Sequence, residues 1–195
     1  MNSQLKDQFF SDVFAHVPTP TECLTPLWTH VDKRMYAPNE FLLHHGDRWS
    51  HLFYIQSGII RLFYTDLEGR EFNKAFFWEG HCIWPVAPRD RNENSLFSVA
   101  ALAECTILAC PFTALYAHLT KLGCWAHFAL PYAELLVEQK FVREHDLLLL
   151  SATERYAKFR QTHAAILGRI ADYQLASYLG ITNVSLSRIK RAMPD

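Results

Sequence analysis

The sequence lacks the cysteine spacing of a zinc site or of a redox-active thiol pair. Its five cysteines are odd in number and widely spaced, and no two of them form a Cys-x-x-Cys pair. It also lacks a run of about 20 apolar residues, the length that spans a bilayer, and residues 1–8 are polar, unlike the start of a signal peptide. We therefore expect reduced thiols, no bound metal, no membrane partner and a location in the cytoplasm.

The residue sets that are typical of enzymes are missing as well. No serine, histidine and aspartate set, phosphate-binding loop or pair of carboxylates stands out, so the sequence predicts a protein that is not an enzyme. The net charge is only −1, but residues 154–191 carry 7 Lys and Arg against 2 Asp and Glu, whereas residues 1–118 carry 9 against 13. A local basic excess suits a module that binds nucleic-acid phosphates, and a solvated surface is the alternative.

Residues 35–110 have the pattern of an antiparallel β-fold. Short runs of β-branched and aromatic residues recur at spacings of about 8–12 residues, with glycine turns between them. The clearest runs are 52–56, 59–64 and 71–77. Because helical patterns follow after Pro111, the sequence predicts an α+β fold whose first part is an antiparallel barrel or sandwich.

A long helix is predicted to cover at least residues 131–150. A seven-residue apolar repeat runs through this region and consists of Phe128, Leu135, Val142 and Leu149. Such a repeat is what two helices need to pack along a shared seam, and it favours a homodimer. Glu138 and His145 interrupt the seam, and a single helix buried against its own β-domain is the alternative that the pattern leaves open.

The most specific pattern lies at residues 172–191, DYQLASYLGITNVSLSRIKR. A helix-turn-helix needs a small residue where its helices meet, a glycine in the turn and a shared apolar core. Ala176 is the small residue, Gly180 ends the first helix, and Thr182 is the predicted N-cap of the second. The expected core positions are Leu175, Leu179, Ile181, Leu186 and Ile189. The pattern therefore predicts a helix-turn-helix that binds double-stranded DNA.

The outward side of the second helix carries the residues that we expect to contact DNA. Arg188 can reach O6 and N7 of guanine, and Asn183 can read adenine or hold a phosphate. Thr182 and Ser185 lie beside the positive N-terminus of the helix, which suits phosphate contacts. The remaining predicted contacts, which attract the DNA backbone or complete this face, are Arg169, Ser187, Lys190 and Arg191.

A β-roll, a long helix and a C-terminal helix-turn-helix, in that order, resemble the Crp/Fnr family of transcription regulators. The stretches that carry the resemblance are 52–69 (LFYIQSGIIRLFYTDLEG) and 175–190 (LASYLGITNVSLSRIK). The resemblance implies a cyclic-nucleotide-binding-like jelly roll, an antiparallel double-stranded β-helix, over 1–118, a dimerisation helix over 119–151 and a DNA-binding domain over 152–195. It also implies regulation from a palindromic DNA site, and it allows RNA polymerase and a small-molecule effector as further partners. Arg188 falls where the family's guanine-reading arginine lies.

The sequence departs from the members of that family that bind cyclic nucleotides. Those members carry a glutamate for the ribose and an arginine for the cyclic phosphate, and Pro85 and Asn94 stand at about these two positions. A buried phosphate without its arginine is costly, so the sequence argues against cyclic AMP, and no cofactor is assigned. The effector is left unidentified. Its weak candidate contacts are Trp84, Arg89, Arg91, Asn94, Ser95 and Glu138.

Two departures concern DNA. Asn183 and Val184 stand where the best-known member has an Arg-Glu pair, so a different DNA sequence is expected. The sequence also ends at Asp195, directly after the second helix. The resemblance therefore implies that the family's β-wing is missing, which is expected to weaken DNA binding by about 1–2 kcal/mol.

Two other functions stay open at this point. A cupin-like metalloenzyme would use His44, His45 and His51, but adjacent residues of a strand point to opposite faces, so one of the first two misses the metal. The other is an effector-binding dimer whose helix pair contacts protein rather than DNA. The basic excess at 154–191 argues against it.

Overall fold

The computed structural model describes residues 3–193. A helical segment comes first, with α1 at Ser3–Val13, α2 at Thr21–Leu24 and a 3-10 helix at Thr25–His30. Helix α1 buries Phe9, Phe10 and Val13 against the outside of the β-domain. Prolines at positions 18, 20 and 26 interrupt the segment after α1, which keeps the next two helices short.

Eight antiparallel strands within the described residues form the β-roll. They are β1 Asp32–Tyr36, β2 Phe41–Leu43, β3 His51–Ser57, β4 Ile59–Thr65, β5 Glu71–Trp78, β6 Cys82–Ile83, β7 Ser98–Ala101 and β8 Cys105–Pro111. They make two four-stranded sheets with the orders β1-β8-β3-β6 and β2-β7-β4-β5. The predicted jelly roll is therefore confirmed. A short helix, α3 at Pro88–Asn92, connects β6 to β7.

Strand β5 contains a bulge at Lys74. In the pairing of β5 with β4, Asn73 lies opposite Phe63 and Ala75 lies opposite Leu62, so Lys74 has no opposite residue. Bulges of this kind change the direction of side chains along a strand.

The two faces of β5 pack against different parts of the molecule. Ala75 and Phe77 pack into the core between the two sheets. Phe76 and Trp78 pack into a second core that the C-terminal helices share. Strand β5 is therefore in contact with the inside of the roll and with the C-terminal domain at once.

Five helices follow the roll. They are α4 Phe112–Lys121, α5 Trp125–Leu149, α6 Ala152–Thr162, α7 Asp172–Leu179 and α8 Asn183–Ala192, with a 3-10 turn at Ala164–Ile166 between α6 and α7. The long helix α5 begins at Trp125, earlier than the predicted minimum, and Pro131 lies inside it. Ser151 and Glu154 form a capping box at the start of α6.

The apolar repeat of α5 divides into two parts. Phe128 is buried in the core under the roll, whereas Leu135, Val142 and Leu149 of the repeat are 54%, 37% and 71% exposed in the single chain. The adjacent Phe141 and Leu148 are 65% and 74% exposed. Burial against the chain's own roll thus accounts only for the first part of the repeat. No helix within residues 3–193 combines the length and apolar character that a membrane span requires.

The turn between β3 and β4 generates a stability prediction. Gly58 has φ +99°, and a Cβ there would lie 2.5 Å from Cys105 Sγ and 2.6 Å from the Glu104 carbonyl oxygen. We expect Gly58→Ala to lower the free energy of unfolding by about 3 kcal/mol, because backbone strain and overpacking add. Urea unfolding measures this change.

Gly69→Ala is the matched control. Gly69 also has a positive φ, +78°, but a Cβ there meets no described atom within 4 Å. This variant should lose only about 1 kcal/mol from backbone strain. Equal losses in the two variants would show that the close approach to Cys105 does not matter.

Candidate nucleic-acid interface and cavity

The turn between α7 and α8 has the geometry of a helix-turn-helix. Gly180 ends α7 in the left-handed conformation, with φ 68°, and the Ile181 N–H donates to the Ala176 carbonyl at 3.0 Å. Thr182 caps α8, since its hydroxyl accepts the Ser185 N–H at 3.1 Å. The predicted roles of Gly180 and Thr182 in the turn are therefore confirmed.

Helices α6, α7 and α8 share one apolar core. Leu175, Ala176, Leu179 and Leu186 are buried in it, and Ile181 and Ile189 pack at its edge, partly buried. Helix α6 adds Tyr156 and Phe159. The predicted core is confirmed. The sequence pattern did not include α6, the third helix of this core.

The side of α8 away from this core faces solvent. Asn183, Arg188 and Arg191 are exposed, and Val184 is 63% exposed. Thr182 is exposed at the start of the helix. Ser185 and Ser187 are partly exposed on the same helix. The predicted contact residues on α8 therefore share one accessible surface.

Three of the predicted basic contacts have partners within the chain. Lys190 Nζ lies 2.6 Å from Asp172 Oδ1 on α7, and Arg191 donates to Ser187 Oγ at 3.2 Å. Arg169 differs from them, because it pairs at 2.6 Å with Glu79 in the turn after β5. It therefore links the C-terminal domain to the roll, a contact that sequence reasoning missed.

Glu79 accepts hydrogen bonds from the C-terminal domain and from the roll. Its carboxylate accepts from Arg169 and from the Gly58 N–H, at 2.9 Å. The hydrogen bond from Arg169 is the largest of the effects that lower the pKa of Glu79 to about 2. This carboxylate is therefore ionised at every pH at which the protein would work.

A buried polar cluster joins the roll to α7. Arg61 of β4 is 6% exposed, and its guanidinium donates to Gln174 Oε1 at 3.1 Å and pairs with Glu71 at 2.6 Å. Asn73 Nδ2 donates to Gln174 Oε1 at 2.6 Å and to the Gln174 carbonyl at 2.8 Å. The Ser177 hydroxyl accepts from the Asn73 N–H and donates to the Glu71 carbonyl. We call these five residues the interdomain cluster.

An aromatic contact lies beside the interdomain cluster. His163 stacks on Phe159 with ring centres 4.4 Å apart, and its ring lies 5.8 Å from that of Trp78 of β5. Burial lowers the pKa of His163 to about 4. The imidazole is therefore neutral at neutral pH and acts as an apolar contact between the domains.

A cavity of about 340 Å³ lies between the roll and α5. Its walls are mostly apolar and aromatic, and α5 contributes Leu135, Leu136 and Gln139. Lys74 lines it from the bulge of β5, with its ammonium 4.0 Å from the centre of the Phe97 ring. Burial lowers the pKa of Lys74 to about 8. The cavity therefore holds a cation in an apolar surrounding.

Two indole groups of the cavity wall carry unpaired donors. Trp49 and Trp84 both line the cavity, and their Nε1 atoms are buried without a hydrogen-bond partner among residues 3–193. A buried N–H normally has a partner. Both nitrogens are closed off from the cavity, so the two rings contribute apolar surface to its wall.

Of the six predicted effector candidates, only Trp84 is among the described residues that line the cavity. Arg89 is exposed and pairs with Glu93 at 2.9 Å. Arg91 donates to the carbonyls of Pro85 and Val86. Neither arginine takes the position of a phosphate ligand in the cavity.

The other three candidates lie outside the cavity wall. Asn94 is exposed, and the buried hydroxyl of Ser95 donates to the Phe97 carbonyl at 2.7 Å. Glu138 is exposed, while its neighbour Gln139 lines the cavity. Sequence reasoning missed Lys74, Trp49 and Gln139.

Two histidines of the metalloenzyme alternative, His44 and His51, contact different neighbours. His51 contacts Arg34 at 3.0 Å and Ser50 at 2.9 Å, and His44 stacks on Phe41 at 4.1 Å. No group of three His, Cys, Asp or Glu side chains that could hold a metal ion occurs in the described part of the chain.

Comparison with known proteins relates the roll to a family. Residues 33–121, from β1 to the end of α4, match the family described as the cyclic nucleotide-binding domain. Over 177 residues the chain is 28% identical to the cyclic AMP receptor protein of Thermus thermophilus, a match that covers 86% of this chain and 79% of that protein.

Solved structures extend the likeness beyond the roll. The catabolite activator protein of Thermus thermophilus is 24% identical, with a TM-score of 0.55 over 93% of this chain and 86% of that chain. The c-di-GMP responsive global regulator CLP of Xanthomonas campestris is 13% identical, with a TM-score of 0.67 over 89% and 91% of the two chains. The fold is thus shared with these regulators over about nine-tenths of this chain.

The interdomain cluster leads to a stability prediction. Gln174→Met keeps the volume of the side chain but removes the oxygen that Arg61 and Asn73 share. Because both donors then lose a partner in a buried place, we expect a loss of about 2–3 kcal/mol in the free energy of unfolding. Chemical denaturation of the full chain measures it.

Gln161→Met, at an exposed position of α6, is the control and should stay within about 0.5 kcal/mol of the parent. Hydrogen exchange adds a local readout, because the amides of α7 should lose protection in the Gln174 variant first. A Gln174 variant as stable as the control would contradict the assigned role of the cluster.

Proposed function

We propose that this chain, which matches the cyclic nucleotide-binding domain family over residues 33–121 and is 28% identical to a cyclic AMP receptor protein, is a Crp/Fnr-like regulator that binds double-stranded DNA as a homodimer and regulates transcription. In this proposal α8 is the recognition helix. A small effector, held in the cavity between the roll and α5, changes the affinity for DNA.

The exposed face of α8 is the observation that carries the proposal. The helix packs on α6 and α7 through Leu186 and Ile189, and this leaves Asn183 and Arg188 accessible. The width of the major groove admits one α-helix, and an arginine on its outer face can bind guanine through two hydrogen bonds. Arg188 is therefore the proposed guanine contact.

Phosphate contacts would come from both ends of α8. Thr182 and Ser185 lie at the positive N-terminus of the helix, where backbone N–H groups favour an anion. At the other end, the ion pair of Lys190 with Asp172 is solvent-exposed. Exposed pairs contribute little stability, so Lys190 can exchange Asp172 for a phosphate at low cost. Arg169 would have to leave Glu79 to do the same.

The proposed dimer seam is the second half of α5. Phe141, Leu148 and Leu149 are exposed there in the single chain, and a symmetric partner helix would cover them. Two-fold symmetry would then present two copies of α8 about 34 Å apart, one turn of DNA. The Crp/Fnr resemblance makes RNA polymerase a further proposed partner. We propose the cytoplasm as its location, where DNA lies and the five free cysteines stay reduced.

The effector would act through two elements that border the cavity. Strand β5 lines it with Lys74 and Phe77 and contacts α7 through Asn73. Helix α5 lines it with Gln139 and carries the proposed seam further along. A ligand that binds one arrangement of these elements better than another shifts the population of DNA-binding geometries.

The assignment of Arg188 is tested on DNA selected from a random pool by the parent protein. We expect Arg188→Ala to lose about 1–3 kcal/mol of binding free energy on the selected duplex, because two hydrogen bonds to a base are lost. On random-sequence duplex the loss should be smaller. Fluorescence anisotropy titrations at fixed salt measure both affinities.

Arg48→Ala is the control for charge alone, since Arg48 is also exposed but lies on the roll. It should leave discrimination between the two duplexes unchanged. Equal losses on selected and random DNA for Arg188→Ala would refute its role in base reading. Absence of any salt-dependent DNA binding by the parent would favour an effector-binding dimer without DNA.

The dimer seam is tested by placing a charge on it. Phe141→Glu and Leu148→Glu should each shift the 22.6 kDa chain from dimer to monomer, because a carboxylate in an apolar seam is costly to bury. Sedimentation velocity at several concentrations measures this shift. Leu67→Glu, at a fully exposed loop position, should remain dimeric. A parent that is monomeric at all concentrations would overturn the seam.

A further inference from the structure

We propose that the cavity between the roll and α5 binds a small aromatic carboxylate, with the carboxylate at Lys74 and the ring among the apolar side chains. This inference rests on the proposed function, in which the same cavity holds the effector. It adds the chemical class of the ligand.

Lys74 supplies the charge that the ligand would neutralise. Its ammonium has aromatic neighbours, Phe97 at 4.0 Å and Tyr64 at 5.7 Å, while Asp90 and Lys140 act on it only as more distant charges. Lys74 lies at the bulge of β5, and a bulge changes the direction of side chains along a strand. A cation in such a surrounding favours an anion that replaces its lost hydration.

Trp49 lines the cavity beside the same aromatic ring. Its ring and the Lys74 ammonium both contact Phe97, with a Trp49–Phe97 centroid distance of 5.6 Å. The indole Nε1 of Trp49 is buried without a partner in the described part of the chain. The Lys74 ammonium can pair with a carboxylate, and the Trp49 ring adds apolar surface to the wall near it.

The rest of the wall fits an apolar ring. The lining is aliphatic or aromatic over most of its area, and it includes Leu62, Phe77, Ile83, Phe97, Leu135 and Leu136. Trp84 adds another aromatic ring to this wall. Burial of an aromatic body gives affinity, and the few polar groups give orientation.

The other charged and titratable groups of the cavity do not offer a better anion site. Asp12 and Asp90 would repel an anion, and Asp12 already accepts from Tyr54 at 2.6 Å. His81 contacts the Trp78 carbonyl through its Nδ1, and His16 lies at the α1 side. The described lining holds no arginine, so a bidentate partner for a phosphate is missing and a carboxylate is favoured.

Calorimetric titration of the full chain tests the ligand class. The probes are benzoate, phenylacetate and 3-phenylpropanoate, with 3-phenylpropanamide as a neutral analogue and cyclic AMP as a phosphate-bearing comparison. We expect at least one carboxylate to bind and to change the tryptophan fluorescence. Its neutral analogue and cyclic AMP should bind at least tenfold more weakly.

Lys74→Met should weaken carboxylate binding at least tenfold, whereas Lys33→Met, at an exposed position of β1, should leave it unchanged. The result overturns the inference if none of the three carboxylates binds, if acid and amide bind equally, or if Lys74→Met binds like the parent. The amide comparison needs no variant and therefore does not depend on the folding of the Lys74 variant.

DNA titrations of the same samples separate this inference from the proposed function. Sequence-selective DNA binding without carboxylate binding would refute the ligand class and leave the regulator proposal standing. Carboxylate binding without DNA binding would support the ligand class and refute the DNA-binding proposal.

Discussion

The buried guanidinium of Arg61 constrains how the two halves of this molecule meet. It lies at 6% exposure between the sheet and α7, and it depends on Gln174 and Glu71 for its partners. Breaking a buried polar cluster leaves charges and amides unpaired, which costs far more than the net gain from forming it. Helix α7 is therefore held on strands β4 and β5 in a defined position. Since α8 follows α7 after one tight turn, the place of the proposed recognition helix depends on this contact.

Strand β5 connects this constraint to the proposed effector cavity. Asn73 belongs to the interdomain cluster, and Lys74, the next residue, lines the cavity on the other side of the sheet. A ligand that binds Lys74 would act on the same short segment of backbone whose Asn73 contacts Gln174. A single strand, β5, thus lies between the cavity and the C-terminal domain. Small shifts of that strand would change the position of α8. Helix α5 offers a second route, because it borders the cavity and carries the exposed apolar positions proposed as the seam.

The parts that could be predicted from the sequence are those that depend on local patterns. Gly180, Thr182 and the apolar positions around them describe the helix-turn-helix, because turn, cap and core lie within about twenty residues. The roll was predictable from its spaced strands and glycine turns. The bulge at Lys74 was not, since it depends on register against β4. The pairing of Arg169 with Glu79 and of Arg61 with Gln174 joins residues distant in sequence, so charge patterns alone assigned Arg169 to DNA. For the effector, the sequence offered Arg89 and Asn94 as weak candidates, whereas Lys74 and Trp49 line the cavity.

The central claim is that two copies of α8 enter successive major grooves of one duplex. Hydroxyl-radical footprinting on a duplex selected by the parent protein tests it most directly. The account predicts two protected segments on the same face of the DNA, about one helical turn apart and related by two-fold symmetry. A single unsymmetric footprint, or uniform protection without any preferred site, would contradict it.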